Sequence, residues 1–352
     1  MGGDLDRAGV TDVPLGVESR RQGQRAGPGA ADLTGPGAGQ ASPPSLASRS
    51  LSRLPPAALV LTGAISVQVG AGFAAKLFTQ IPPAAVTGLR LWAAAVVLAL
   101  AGMRGLVTAV RGVARRRAWR DAAVVTGFGV SLAVMNFAIY QSFARIPLGI
   151  AVTIEFLGPL GLAVASSRRR LDLLWVVLAG GGVALLARTG SAAATPGLGY
   201  SGRGAVVAGF AFALLAASCW VAYILLSRAT GRRFPGTSGL TAAMVVAAIL
   251  ITPAGVATGG GALLRPDVLA IGAVIGLMSS IIPYSLELET LRRIPARVFG
   301  IWMSLEPAIA ALVGLVLLGQ SLSWPEWVAI AGVMVACAGA ARGAGEPQAP
   351  QA

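Results

Sequence analysis

The chain has 352 residues, a formal net charge of +14, no histidine and a mean hydropathy of +0.74. Without histidine there is no Ser-His-Asp triad, no imidazole base and no His-ligated metal, and the lone cysteines Cys219 and Cys337, each inside an apolar stretch, mark neither a disulfide framework nor a redox pair. The positive charge is spread over the gaps between apolar stretches rather than gathered on one patch, which argues against nucleic acid as a partner and for membrane lipids.

Residues 1–52 are rich in Gly, Pro, Ser and charge and lack hydrophobic periodicity, so they read as a disordered cytoplasmic tail. The first apolar run begins too late, and is too long, for a cleavable signal peptide. A spanning helix needs about 20 apolar residues, and ten such stretches follow, near 57–76, 84–103, 121–143, 147–166, 171–187, 204–226, 237–258, 267–290, 295–318 and 324–341. Residues 342–352 read as a second disordered cytoplasmic tail. The predicted fold is an all-α membrane protein of ten transmembrane helices.

Short cytoplasmic loops hold an excess of Lys and Arg. Arginines fill the N-terminal tail and then every second gap: Arg115 to Arg117 with Arg120, Arg168 to Arg170, Arg228 with Arg232 and Arg233, Arg292 with Arg293 and Arg297, and finally Arg342. The opposite gaps carry only Lys76, Arg145, Arg188, Arg203 and Arg265. One helix too many or too few would scramble this alternation, so both termini are expected in the cytoplasm of a cell bounded by an inner or plasma membrane.

A repeat is visible by eye. Ala144-Arg145-Ile146-Pro147, with Pro159 twelve residues on, recurs as Arg292-Arg293-Ile294-Pro295 with Pro307, an offset of 148 that also places Ser131 on Ser279 and Ser142 on Thr290. The predicted halves are a first five-helix repeat over 53–190 and a second over 200–341. Five is odd, so the copies are expected to be inverted relative to each other. The charges agree: the loop before Pro147 has one arginine, and its counterpart around Pro295 has three.

Ionisable side chains within spans carry an insertion cost of roughly 2.5 to 3.5 kcal/mol and therefore face a partner or a wet cavity. Arg90, Glu155 and Glu306 stand out. Arg90 and Glu155 lie at similar depths, about 10 Å and about 12 Å below the external ends of their spans, and are expected to pair as ions. Glu306 falls near the midplane and aligns with Gly158, one turn from Glu155. Arg90 can neutralise only one carboxylate, so the other stays protonated or accepts a cation such as an ammonium. Gln68, Asn136, Tyr140 and Tyr284, with Ser279 and Ser280, supply further polar groups suited to a small solute, each equally suited to bridging helices. Trp220 and Tyr223 are expected as interfacial anchors. Glu287 and Glu289, next to Arg292 and Arg293, are expected to form a salt-bridged surface cluster. Pro159, Pro283 and Pro307 free backbone carbonyls within spans, and the Gly272-x-x-x-Gly276 and Gly180–Gly182 runs allow close helix contact.

The stretches Ala144–Leu160, Ser280–Leu288, Arg293–Gly300 and Ser304–Ala308, above all Glu-Phe-Leu-Gly-Pro at 155–159 and Ser-Leu-Glu-Pro at 304–307, resemble the EamA-type transporters of the drug/metabolite transporter superfamily, and within it the threonine/homoserine exporter group. The resemblance covers the ten spans and leaves out the first 50 residues. It implies an inner-membrane carrier that exports small amino acids or related metabolites, driven by proton exchange.

Together these readings predict a secondary transporter working by alternating access, with a small-molecule substrate and protons as partners, a second copy of the chain as a further partner the sequence allows, and no catalytic residue, metal or cofactor. Arg90 and Glu155 would form the polar pocket, and Glu306 would carry the proton or the substrate amine. The alternatives are a drug or other metabolite carrier of the same superfamily, a passive channel, and a lipid-modifying membrane enzyme. The last would need a nucleophile or metal ligands at the membrane face, where the chain offers few.

Overall fold

The computed structural model describes residues 54–116, 118–167, 172–189, 202–234 and 236–343. The first expected tail, most of the second and the run Arg168 to Arg170 lie outside the described residues, although Arg342 still belongs to the last helix.

Each apolar stretch forms a helix long and apolar enough to cross a membrane: α1 (Pro56–Leu77), α2 (Pro83–Met103), α3 (Trp119–Phe143), α4 (Leu148–Ala165), α5 (Asp172–Thr189), α6 (Arg203–Gly231), α7 (Ser238–Leu264), α8 (Pro266–Leu291), α9 (Arg297–Leu318) and α10 (Trp324–Gly343). Helix ends follow local chemistry. Pro56 and Pro266 occupy first-turn positions, where a missing N–H costs nothing. α9 ends on Gly319 in the left-handed region, φ 67°, and the amide N–H of Gln320 returns to the Gly314 carbonyl at 3.0 Å. α10 begins with a capping arrangement in which the Ser323 N–H and hydroxyl both donate to Glu326 Oε2, at 2.6 and 2.8 Å.

The sequence repeat has a backbone counterpart. Pro147 and Pro295 precede α4 and α9 with nearly the same dihedrals, φ −54° and ψ 142° against φ −58° and ψ 144°. Eight-residue helical segments follow, Leu148–Glu155 and Ala296–Met303, each ending in a break at Phe156 and Ser304 with φ −64° in both. In the preceding turns Arg145 and Arg293 each bond the residue four before, Gln141 and Glu289. Packing repeats too. α3 lies on α6 and α7, and α8 lies on α1 and α2; α4 meets α6 as α9 meets α1; α2 faces α7, α5 faces α10 and α4 faces α9. Exchanging the two halves leaves this set of neighbours unchanged.

Glycines set the closest contacts. A Cβ on Gly276 would lie 2.4 Å from the Ala93 Cβ, so the small-residue run of α8 brings it onto α2 as expected. Gly182 faces the Ala329 carbonyl of α10, whereas Gly180 and Gly181 meet nothing.

The two copies of the Ile-Pro turn differ in burial. Ile146, Leu148, Ile150 and Ala151 are buried within a cluster that includes Phe78, Ile81 and Ala310. In the second copy Pro295 and Arg297 are exposed and Phe299 is half-buried. One end of the bundle is therefore sealed by packed side chains. The other, where the up-and-down course of the chain gathers Arg228, Arg293 and Arg342, is more open.

Candidate functional site

A cavity of about 580 Å³ extends from Phe143 and Val152, on the side of the sealed end, to Arg228, Leu291, Phe299 and Ala341 at the arginine-rich end. Its lining includes Gln68, Arg90, Asn136, Glu155, Tyr284 and Glu306, so six of the seven residues singled out in the sequence meet on one wall or another of a single cavity. Tyr140, the seventh, is fully buried behind Arg90.

Glu306 opens the second segment of α9, directly after the helix break and before Pro307. It is 6 % exposed, and its Oε1 accepts a 2.7 Å hydrogen bond from Nε2 of Gln68 on α1. Buried carboxylates are normally matched by donors. Here Glu306 Oε2 and Gln68 Oε1 are both buried with no partner.

Arg90 is held by a consequence of proline chemistry. Pro283 brings no N–H to the carbonyl of Ser279 four residues back, and α8 widens there into a π-helical turn, Leu277–Ile281. Nη2 of Arg90 donates to that Ser279 carbonyl at 3.0 Å. The guanidinium also lies over the Tyr140 ring, 5.5 Å from its centroid, with Nη1 3.5 Å from the hydroxyl. Arg90 Nε and the Ser279 hydroxyl are buried without partners. Asn136 anchors its amide nitrogen on the Leu132 carbonyl at 2.8 Å.

Three expectations need correction. Arg90 and Glu155 face the same cavity but form no ion pair within 4.0 Å; the guanidinium is committed to Ser279 and Tyr140 instead. Glu287 does not join the surface cluster. Glu289 alone pairs with Arg292, at 3.7 Å, and with Arg293, while Glu287, two residues earlier and so on another helix face, lines the cavity. Trp220 and Tyr223 also line the cavity, and Trp220 packs edge-on against Phe156 with ring centroids 5.1 Å apart. Glu287 was findable: it follows Tyr284 by three residues, one turn along the same face. Trp220 was harder, because an aromatic near a helix end reads as an anchor unless the neighbouring helix is known.

Among the described residues no cluster of metal-ligating side chains occurs. The arrangement has one fixed guanidinium, three carboxylates and several orphaned polar atoms in a cavity reached from one end. It can hold a small polar solute with both charges.

A ten-helix bundle around a largely apolar cavity with a few buried charged groups has the architecture of a membrane carrier. The model of the EamA-like transporter family matches residues 207–342. The threonine/homoserine exporter RhtA of Salmonella typhimurium (strain SL1344) is 35 % identical over 284 residues, covering 81 % of this chain and 90 % of the relative. RhtA of Escherichia coli (strain K12) is 35 % identical over 293 residues, covering 82 % and 93 %. A solved crystal structure shares the fold at a TM-score of 0.53 and 19 % identity, covering 80 % of this chain and 95 % of that one. The chain belongs to the EamA-like transporter family: it is a multi-pass membrane transporter, not an enzyme.

Proposed function

We propose that the protein exports small zwitterionic amino acids of the threonine and homoserine type across the cell membrane in exchange for protons, by alternating access. The observation that carries this reading is the pairing, within one cavity, of the fixed Arg90 guanidinium with the half-satisfied Glu306–Gln68 couple. A substrate carboxylate would find the free Nε of Arg90, and its ammonium would find the unpartnered acceptors of Glu306 and Gln68. A proton on Glu306 would compete with that ammonium, which is the exchange an antiporter needs. The likeness to the threonine/homoserine exporters supports the substrate class.

Alternating access draws on the repeat. With five helices per half, the second half runs upside down relative to the first. The buried turn at Pro147 and the exposed turn at Pro295 would then be the closed and open versions of one gate. Exchanging their states would seal the arginine-rich end and open the other. The arginine distribution supports a cytoplasmic position for that end and for both chain termini, and on this reading the cavity described is the cytoplasm-facing one.

By volume alone the cavity also suits drug-sized solutes. Reconstituted protein given labelled threonine, homoserine and a panel of drugs, with and without a proton gradient, separates the readings. Saturable threonine or homoserine movement that responds to the gradient is expected; transport of drugs alone, or flux that does not saturate, would overturn the proposal.

A further inference from the structure

Glu287 is a carboxylate for which the exchange described above has no use. It is half-buried on α8 and lines the cavity. The neighbouring Arg292 and Arg293 are engaged by Glu289, and no ion pair of Glu287 occurs among the described residues. The charged and titratable groups that share its cavity are Glu155 on α4, Tyr223 and Arg228 on α6, Tyr284 on its own helix, Glu306 on α9, Cys337 on α10 and Arg90 on α2. Arg228 is exposed at the mouth, where water screens it. With the exposed Arg228 set aside, the lining offers three carboxyl groups against one guanidinium, an excess of two acidic groups.

A second feature suits the cavity to cations. Gln68 Oε1 and Glu306 Oε2, on residues 2 % and 6 % exposed, line it and have no donor. Isolated charges are costly at such depth, and a zwitterionic substrate adds no net charge, so it cannot relieve the excess. Two protons can. Resting on the exchange reading above, we propose that Glu287 is a second proton-carrying residue beside Glu306, so that two protons enter for each zwitterion exported and each cycle moves net charge inward.

The test uses full-length protein in liposomes whose interior is one pH unit more acidic than the bath, with the membrane potential held at zero by valinomycin and equal potassium. At zero net flux, labelled threonine accumulates inside by the proton ratio raised to the number of protons exchanged: about 100-fold for two and about tenfold for one. Wild type is expected near 100-fold, Glu287→Gln near tenfold, and Glu287→Asp, which keeps a titratable carboxylate, near 100-fold. A wild-type ratio near tenfold, or a ratio near 100-fold in Glu287→Gln, overturns the two-proton assignment alone. A wild type that builds no threonine gradient overturns the exchange reading as well. Where the Glu287→Gln protein does not fold, a wild-type ratio near tenfold still overturns the proposal.

Discussion

Gln68 on α1 donates its Nε2–H to Oε1 of Glu306 on α9 at 2.7 Å, and this bond ties the first half of the chain to the second at the depth where the cavity begins. It leaves the amide oxygen of Gln68 and the second carboxyl oxygen of Glu306 without partners. The carboxylate is thus oriented without being neutralised.

Replacing Gln68 by Leu removes the hydrogen-bond donor to Glu306 and leaves that carboxyl group buried and bare. The loss is about 1–3 kcal/mol of stability, read as a lower melting temperature in detergent, together with a fall in threonine counterflow of about tenfold. Gln68→Glu, which sets two carboxyl groups against each other, is expected to lose more transport than Gln68→Leu.

Arg90→Lys keeps the positive charge and discards the planar fork. An ammonium cannot both reach the Ser279 carbonyl and lie flat over Tyr140 while presenting a third donor to the cavity. The expected result is a rise in the threonine KM of about tenfold, equal to about 1.4 kcal/mol, with much less change in melting temperature. Unchanged KM in concentration-dependent uptake would place Arg90 outside the binding site.

Pro283→Ala restores an N–H that competes with Arg90 for the carbonyl of Ser279. The helix gains a bond, so stability should hold or rise, while loss of one anchoring bond of about 1 kcal/mol weakens substrate binding about fivefold. Stability and transport moving in opposite directions is the signature to look for.

Cys337 lines the cavity on α10 and is only half-buried. In a Cys219→Ser background it should react with a small thiol reagent applied from the arginine-rich side, and saturating threonine should slow labelling several-fold, the rate falling in proportion to the fraction of sites left empty. Equal rates with and without threonine would separate the solute from this cavity.

Much of this was legible in the chain itself. Helix bounds follow from apolar runs whose ends are set by residues such as Pro56, Pro266 and Gly319, all local chemistry. The offset of 148 foresaw matching turns at Pro147 and Pro295 because an Ile-Pro pair admits few backbone states. What distance along the sequence cannot give is the partner of a charge. Arg90 bonds a backbone carbonyl on α8, and a carbonyl freed by a proline carries no side-chain label by which to find it. Glu287 and Glu289 look alike beside Arg292 and Arg293, and only the rotation of α8 sends one into the cavity and the other to the surface.

The most direct test of the central claim, that Glu306 exchanges a proton for substrate, is threonine transport by wild type and Glu306→Gln in proteoliposomes across an imposed pH gradient. Wild type should move threonine faster when the gradient is present, and Glu306→Gln should show a much smaller acceleration. Equal acceleration in the two proteins would contradict the account.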